Sequence, residues 1–599
     1  MLKKRILPLL LVLCISLSLT ACTGRENVTV VTRTDLTVTD TVHDNPGLAE
    51  YESQYNDPAF LTQRGYDGIV FDLFDAADFG LLWDDFDNLN QGREKVFPFG
   101  SKERKWAEDK RNELTEKYND AVENGQKVYF MMDIIVLPSS MLRIYPEILN
   151  KDGKIDIMSE KMKQVMDCMF DEMFSAFPQI TGIYIRYGET YVGEKYNTPY
   201  HVGNNPIVGK DTKYHNFLIE YLREKVCEEK DREIIYRTWG FSGFQNDKKI
   251  YTKISNKIDT HDNLFFSVKY TTGDFHRDVK FNQCVNAGKH KQIVEVQCAR
   301  EYEGKGAYPN YVASDVIYGA EEYKWLMKDD EVKSLSEAVN RSDSVVSGIW
   351  TWSRGGGWDG PYINGVNGEN GSVKVENGSE LWCDVNAYVI SKWAQDTSKT
   401  DKEILQQYAR EILLMSDTDA EIFYNICIKS SHAVLYGRGT NSPKIRWDVW
   451  WMRDQNIRKP SFDFIVDSAV EDGTYEILLS EKTESVKTWK EIVDLAKSLS
   501  DDVKMKDYIV TTSLYGLYQY SIFNDMFIAN IYSKVDADKY SAEIRTAVED
   551  YEKQWELFDN LYAESEGCPT LFTKDEAELD LIGYRGNVGT DAVMKHFEQ

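Results

Sequence analysis

A chain of 599 residues is long enough for more than one domain, and 42% hydrophobic with 28% charged residues is the composition of a globular protein. Asp and Glu number 98 against 70 Lys and Arg, a formal net charge of −28. A surface that acidic repels phosphate backbones and excludes nucleic acid as a partner. The aromatic content of 13% suits stacking on sugars and equally suits a large core.

The chain opens with Lys3-Lys4-Arg5 and an apolar run over 6–19, the pattern of a signal peptide and too short to span a bilayer comfortably. It closes on Leu19-Thr20-Ala21-Cys22, which resembles a bacterial lipobox. The resemblance implies cleavage after residue 21, lipid on Cys22, and a protein held at the bacterial surface or envelope by that anchor alone. An ordinary secretory peptide with an incidental cysteine is the alternative. Residues 22–57, polar and Thr-rich, read as the lipidated cysteine and a tether, although their alternation could also form one edge strand. Cys168, Cys227, Cys284, Cys298, Cys383, Cys427 and Cys568 are odd in number and lack CxxC spacing, which argues for buried thiols over a zinc site or disulfide framework.

From Tyr66 a beat of apolar strand and amphipathic helix begins. Strands are expected at 66–74, 128–136, 180–188, 232–238, 263–270, 292–298 and 345–352. Ser101 and Ser159 are set to cap helices, the first ending at Asn124-Gly125. Strands alternating with helices mean a parallel sheet covered by helices, and no Gly-rich phosphate turn opens any of them. The fold class is therefore α/β, a (β/α)8 TIM-type barrel over 58–395, with an eighth strand hidden at 309–318 or near Phe97. After Trp382 the beat changes. Thr400-Asp401-Lys402-Glu403 and Thr418-Asp419-Ala420-Glu421 read as capping boxes, the second helix stopping at Gly437, and 396–599 reads as a mostly α-helical domain. Its cluster Trp447, Trp450 and Trp451 suits core, a homodimer interface or a cover for a sugar site.

Acids recur where strands run out, the place that lines the reaction site of such a barrel. Glu189 follows the third strand, Asp274 the fifth, and Glu295 lies in the sixth. Hydrolysis of a glycoside takes two carboxyl groups, one to protonate the leaving oxygen and one to attack or activate water. Arg186 and Arg237, near the ends of inward-facing strands, either hold a substrate carboxylate through paired hydrogen bonds or pair with these acids structurally. His276, without a partner Ser or Cys, signals no triad but lies close enough to Asp274 to join the site. The loop Arg354-Gly355-Gly356-Gly357-Trp358-Asp359-Gly360 is no phosphate loop, and offers Trp352 or Trp358 as a sugar platform. The acid-rich run 71–88 lacks the spacing of a calcium loop and reads as solvated helix or loop.

These stretches resemble the α-glucuronidases of glycoside hydrolase family 67. The family pattern V-K-N-G-P-I-D-F is similar to Val268-Lys269-Tyr270-Thr271-Thr272-Gly273-Asp274-Phe275, and E-L-Q-I-T-Q-E-Y to Glu295-Val296-Gln297-Cys298-Ala299-Arg300-Glu301-Tyr302. W-R-A-F resembles Tyr236-Arg237-Thr238-Trp239; K-A-N-S-E-G resembles Arg186-Tyr187-Gly188-Glu189 at one residue shorter; R-G-Y-A-G resembles Arg64-Gly65-Tyr66-Asp67-Gly68. The likeness covers roughly 60–415, and lacks the β-rich domain that precedes the family's barrel. It implies Glu189 as general acid, Asp274 and Glu295 sharing the base role, and Arg186, Arg237 and Lys269 on a uronate carboxylate, with Trp239 beside them. It implies an inverting hydrolysis of α-linked glucuronate or 4-O-methylglucuronate from xylan-type oligosaccharides, with no metal or organic cofactor, and carboxyl groups about 6.5–9.5 Å apart. Another uronate-containing or neutral glycan, or a surface glycan-binding lipoprotein without catalysis, is the alternative.

Overall fold

Eight short strands pair in parallel and close on themselves in the computed structural model. The structure describes residues 29–42, 53–186, 198–201, 212–239, 243–277, 279–300, 303–354, 380–439, 452–453, 456–457, 459–565, 568 and 574. The strands are β1 (Thr37–Val42), β2 (Gly68–Phe71), β3 (Lys127–Asp133), β4 (Ile180–Arg186), β5 (Glu233–Arg237), β6 (Leu264–Lys269), β7 (Lys291–Gln297) and β8 (Val346–Arg354). Seven of them fall on the expected runs. The eighth lies neither at 309–318 nor near Phe97. It is β1, inside the stretch read as a tether, so folded structure starts well before residue 58.

β1 is also no edge strand: it pairs with β2 on one side and β8 on the other, closing the ring. Its sequence, TVTDTV, turns Thr39 inward, where its hydroxyl meets that of Tyr184 at 2.8 Å. Asp40 points outward against β8, where Thr351 and Ser353 donate their hydroxyls to it and the Ser353 N–H donates at 3.1 Å. Burial outweighs these hydrogen bonds and pushes its carboxyl up to about 8, so it folds protonated. A folded-state pKa raised above the unfolded one gives stability that is full at low pH and is lost as pH rises from about 4 through 8. Asp40→Asn, which keeps the neutral shape, should therefore flatten the decline of Tm between pH 5 and 8; an unchanged slope would mean that another group sets it.

Inside the barrel, alternate residues stack in a core of Val70, Tyr129, Met131, Tyr184, Ile235, Ile293 and Trp350. At the amino-terminal end Tyr129 donates to Glu233 at 2.8 Å, and Gly182 makes room for it. A Cβ on Gly182 would lie 2.7 Å from the Glu233 carbonyl and 3.0 Å from the Tyr129 ring. Gly182→Ala should cost about 1–3 kcal/mol in urea unfolding through overpacking alone.

Helices cover the ring. Ser101 caps Lys102–Glu123 and Ser159 caps Glu160–Ala176, whose methionines at 162, 166, 169 and 173 face the core. The helix Leu381–Gln395 follows β8 and ties three segments together: Asp384 accepts from Tyr55, from Arg64 of the helix Pro58–Arg64 and from Tyr408 of the helix Asp401–Glu411. The run 71–88 is not solvated. Asp78 and Asp87 are buried and Asp75 pairs with Lys110 and Lys117, because the segment folds back under the helix Lys102–Glu123.

The region after residue 396 is helical: Asp401–Glu411, Asp417–Arg438, Lys459–Glu471, Tyr475–Ser498, Lys506–Asp536 and Ser541–Glu564, with a two-residue β-bridge pair at 452–457. Thr400 and Glu403 form the expected capping box. The second does not form. Ser416 caps its helix instead, with its hydroxyl accepting from the Asp419 N–H, and Thr418 lies within the first turn. The helix ends at Arg438, one residue past the expected Gly437, and Gly437 lies against the ring of Tyr520, where any Cβ would collide. All seven described cysteines are buried free thiols. No described helix is long and apolar enough to cross a membrane.

Candidate active site

Inward alternation brings a layer of charge to the carboxyl end of the ring. Tyr184, Ile235, Ile293 and Trp350 point in, so two residues further along Arg186, Arg237, Glu295 and Trp352 point in as well. Asp133 and Arg186 are register neighbours on β3 and β4, and Lys269 and Glu295 on β6 and β7.

Three ion pairs result. Arg186 holds Asp133 through Nε and, at 2.7 Å, through Nη2. Arg237 reaches past the small Ser267 to grip Glu295 bidentately at 2.7 and 2.6 Å. Its guanidinium also lies over Trp350 and Trp352, 5.5 and 5.2 Å from the ring centroids. Glu295 is 0% exposed, and the fork gives both of its oxygens a charge-assisted hydrogen bond. Lys269 bridges the two acids expected to share one role: its ammonium pairs with Asp274 and lies 3.9 Å from Glu295 Oε1. It sits 3.7 Å from the ring centroid of Trp239 and 4.6 Å from that of Phe275.

Asp274 differs from its neighbours in access. Its side chain is 34% exposed, against 5% for Lys269. Burial opposes its ionisation, but the Lys269 ammonium, with Arg237 adding to it, outweighs burial and holds the carboxyl below its ordinary value. His276 is buried and kept neutral, its pKa pushed down to about 4 because desolvation exceeds the pull of Asp274. The loop itself is pinned by Asn282, whose amide donates to the carbonyls of Gln245 and Lys269 at 2.6 and 3.0 Å.

The structure thus brings together Asp274, Glu295, Arg237, Lys269, Trp239, His276 and Trp352, the last in the floor with Arg237 over its ring. Arg186 lies in the same inward layer, one position past the Ile185–Tyr236 register pair of β4 and β5, and its guanidinium holds Asp133. Asp133 was not singled out in the sequence, although it ends an apolar strand as the other acids do. Glu189, Trp358 and Cys22 lie outside the described residues, as do Trp447, Trp450 and Trp451. Among the described residues no cluster of His, Cys, Asp and Glu has the arrangement of a metal site.

No family model and no curated protein sequence matches the chain. Among solved structures it is similar to a GH138 enzyme targeting pectin rhamnogalacturonan II, with TM-score 0.52 at 10% identity over 91% of this chain and 64% of that one. It is also similar to CpGH84B (TM-score 0.41, 9% identity, 89% and 75% covered). A third likeness is an O-GlcNAc hydrolase of Thermobaculum terrenum (TM-score 0.36, 9% identity, 94% and 93% covered). The chain spans less than two thirds of the GH138 enzyme. That likeness supports the fold class, a (β/α)8 barrel followed by a helical region, and the weaker two add nothing to it.

Proposed function

We propose that the protein is a glycoside hydrolase that releases an α-linked uronate from an acidic oligosaccharide by single-step inversion, as the resemblance to family 67 implies. The observation that carries this reading is the carboxylate pair on one ammonium. Asp274 and Glu295 follow or end adjacent strands and pair with Lys269 and Arg237, and of the two only Asp274 opens to solvent. An ionised, accessible carboxylate at a barrel mouth is suited to take a proton from water, and Glu295 is suited to orient the lysine rather than to meet substrate. Glu189 supplies the general acid in this reading, and lipidated Cys22 keeps the enzyme at the envelope.

The ion pairs bear on how a uronate binds. Arg186 and Arg237 are each committed to a buried acid, so among the three expected cations Lys269 is the one whose partner is accessible. A substrate carboxylate that takes up the Lys269 ammonium would free Asp274, whose proton affinity then rises just when a base is needed. The GH138 likeness favours a pectic acidic glycan as the second reading over a xylan-derived one.

Incubating the mature protein with aldouronic, pectic and neutral oligosaccharides separates these readings. Free uronic acid from either acidic set supports the proposal and names the glycan. Neutral sugar as the sole product would move the substrate class, and tight binding with nothing released would favour the glycan-binding lipoprotein.

A further inference from the structure

Resting on the reading of Asp274 as the base, we infer that Arg300, together with Arg277, is a positioning residue: the two guanidinium groups clamp the turn that carries Asp274 and tie it to the C-terminal helices. The loop after β6 has no regular structure of its own from residue 272 to 277. It is fixed at two successive residues just beyond Asp274. The carbonyl of His276 accepts from Nη1 of the buried Arg300 at 3.2 Å. Arg277 places Nε and Nη2 on the two oxygens of Glu303 at 2.7 and 3.0 Å.

Glu322, fully buried, joins the two clamps, with Oε1 3.1 Å from Arg300 and Oε2 3.8 Å from Arg277. Two of the carboxylates, Glu303 and Asp315, are anchored away from the loop. Glu303 also accepts from Asn310 at 2.9 Å, and the Asn310 carbonyl accepts from Asn386 on the helix Leu381–Gln395. Asp315, 3.7 Å from Arg300, accepts from Ser431 at 2.8 Å, and Ser431 lies on the helix Asp417–Arg438. Arg438, from the same helix, adds its field to Arg277 and Arg300 at Glu303, whose carboxyl stays ionised at about 2 despite burial.

Stability alone does not call for such a network, because apolar side chains of the same volume serve a core as well or better. What paired charges add is a single geometry, and the geometry fixed here is that of the peptide two and three residues past Asp274. A misplacement of about 1 Å at a reacting group can cost about 100-fold in rate.

Arg300→Lys tests the inference. It keeps the charge beside Glu322, but an ammonium lacks the planar fork that holds carbonyl and carboxylate together. On whichever uronoside the protein cleaves, kcat should fall about 10-fold or more with KM within about twofold. The Asp274 carboxyl, assigned in the 13C spectrum by its loss in Asp274→Asn, should titrate at higher pH than in the parent, because the loosened turn draws it away from the Lys269 ammonium that lowers it while the groups around it are chemically unchanged. That second readout needs no substrate, so a titration shift in a protein inert on every glycan supports the clamp and sinks only the hydrolase reading. Parent-like kcat and titration together would overturn the inference. Should Arg300→Lys not fold, Glu322→Gln keeps both arginines and carries the same two readouts, with the same parent-like result counting against it.

Discussion

Asp274→Asn should fold normally and lose turnover on a uronoside by about 10³-fold, with KM little changed. Asparagine keeps the size of the side chain and an oxygen for the Lys269 ammonium, which retains Glu295 as a second partner at 3.9 Å. What disappears is the carboxylate that, of the two beside Lys269, is accessible to accept a proton from water. Because the Asp274 carboxyl is held below its ordinary value, the acid limb of kcat/KM in the parent should lie below the usual aspartate range. The same lowered pKa gives stability that is present above the unfolded value of 3.8 and is lost as pH falls through the folded one. Steady-state kinetics with a Tm for each protein check all three points. Near-parental turnover in Asp274→Asn would remove Asp274 from the chemistry.

The second large effect falls on stability. Arg237→Met should destabilise the fold by about 3–5 kcal/mol, because it leaves a fully buried glutamate without its fork. Lys269 is the nearest remaining cation, already paired with Asp274. Adding Glu295→Met to Arg237→Met should recover most of the loss, since the cost is the stranded charge rather than the missing contact. Urea unfolding of the parent, both single variants and the double variant measures it. A loss under about 1 kcal/mol in Arg237→Met would mean that Glu295 is accommodated some other way.

Seven barrel strands were legible because parallel strands buried on both faces read as apolar runs. β1 was not, for a physical reason. Its inward positions are threonines, of which Thr39 hydrogen-bonds Tyr184 across the ring, and its outward Asp40 is neutralised by burial. Neither feature separates a strand from a polar tether in the sequence. Acids at strand ends pointed to Asp274 and Glu295, and the same signal existed for Asp133. There it was hidden, because residues 134–137 continue the apolar run beyond the end of β3. Which cation meets which acid was not legible at all. Arg237 reaches Glu295 across an intervening strand because position 267 is a serine, and Arg186 turns to Asp133 because the β3–β4 register puts them side by side. Gly437 shows what a local signal leaves out: the helix does end one residue beyond it, but its missing Cβ also makes room for the ring of Tyr520.

The central claim is that Asp274, poised on Lys269 beside Glu295, activates water on the face of the sugar opposite the leaving group. Proton NMR of the first anomer released from an α-linked uronosyl oligosaccharide tests it most directly. A β-uronate that appears first and then mutarotates is the predicted result. An α-uronate appearing first would contradict it, and would make one of these carboxylates a nucleophile.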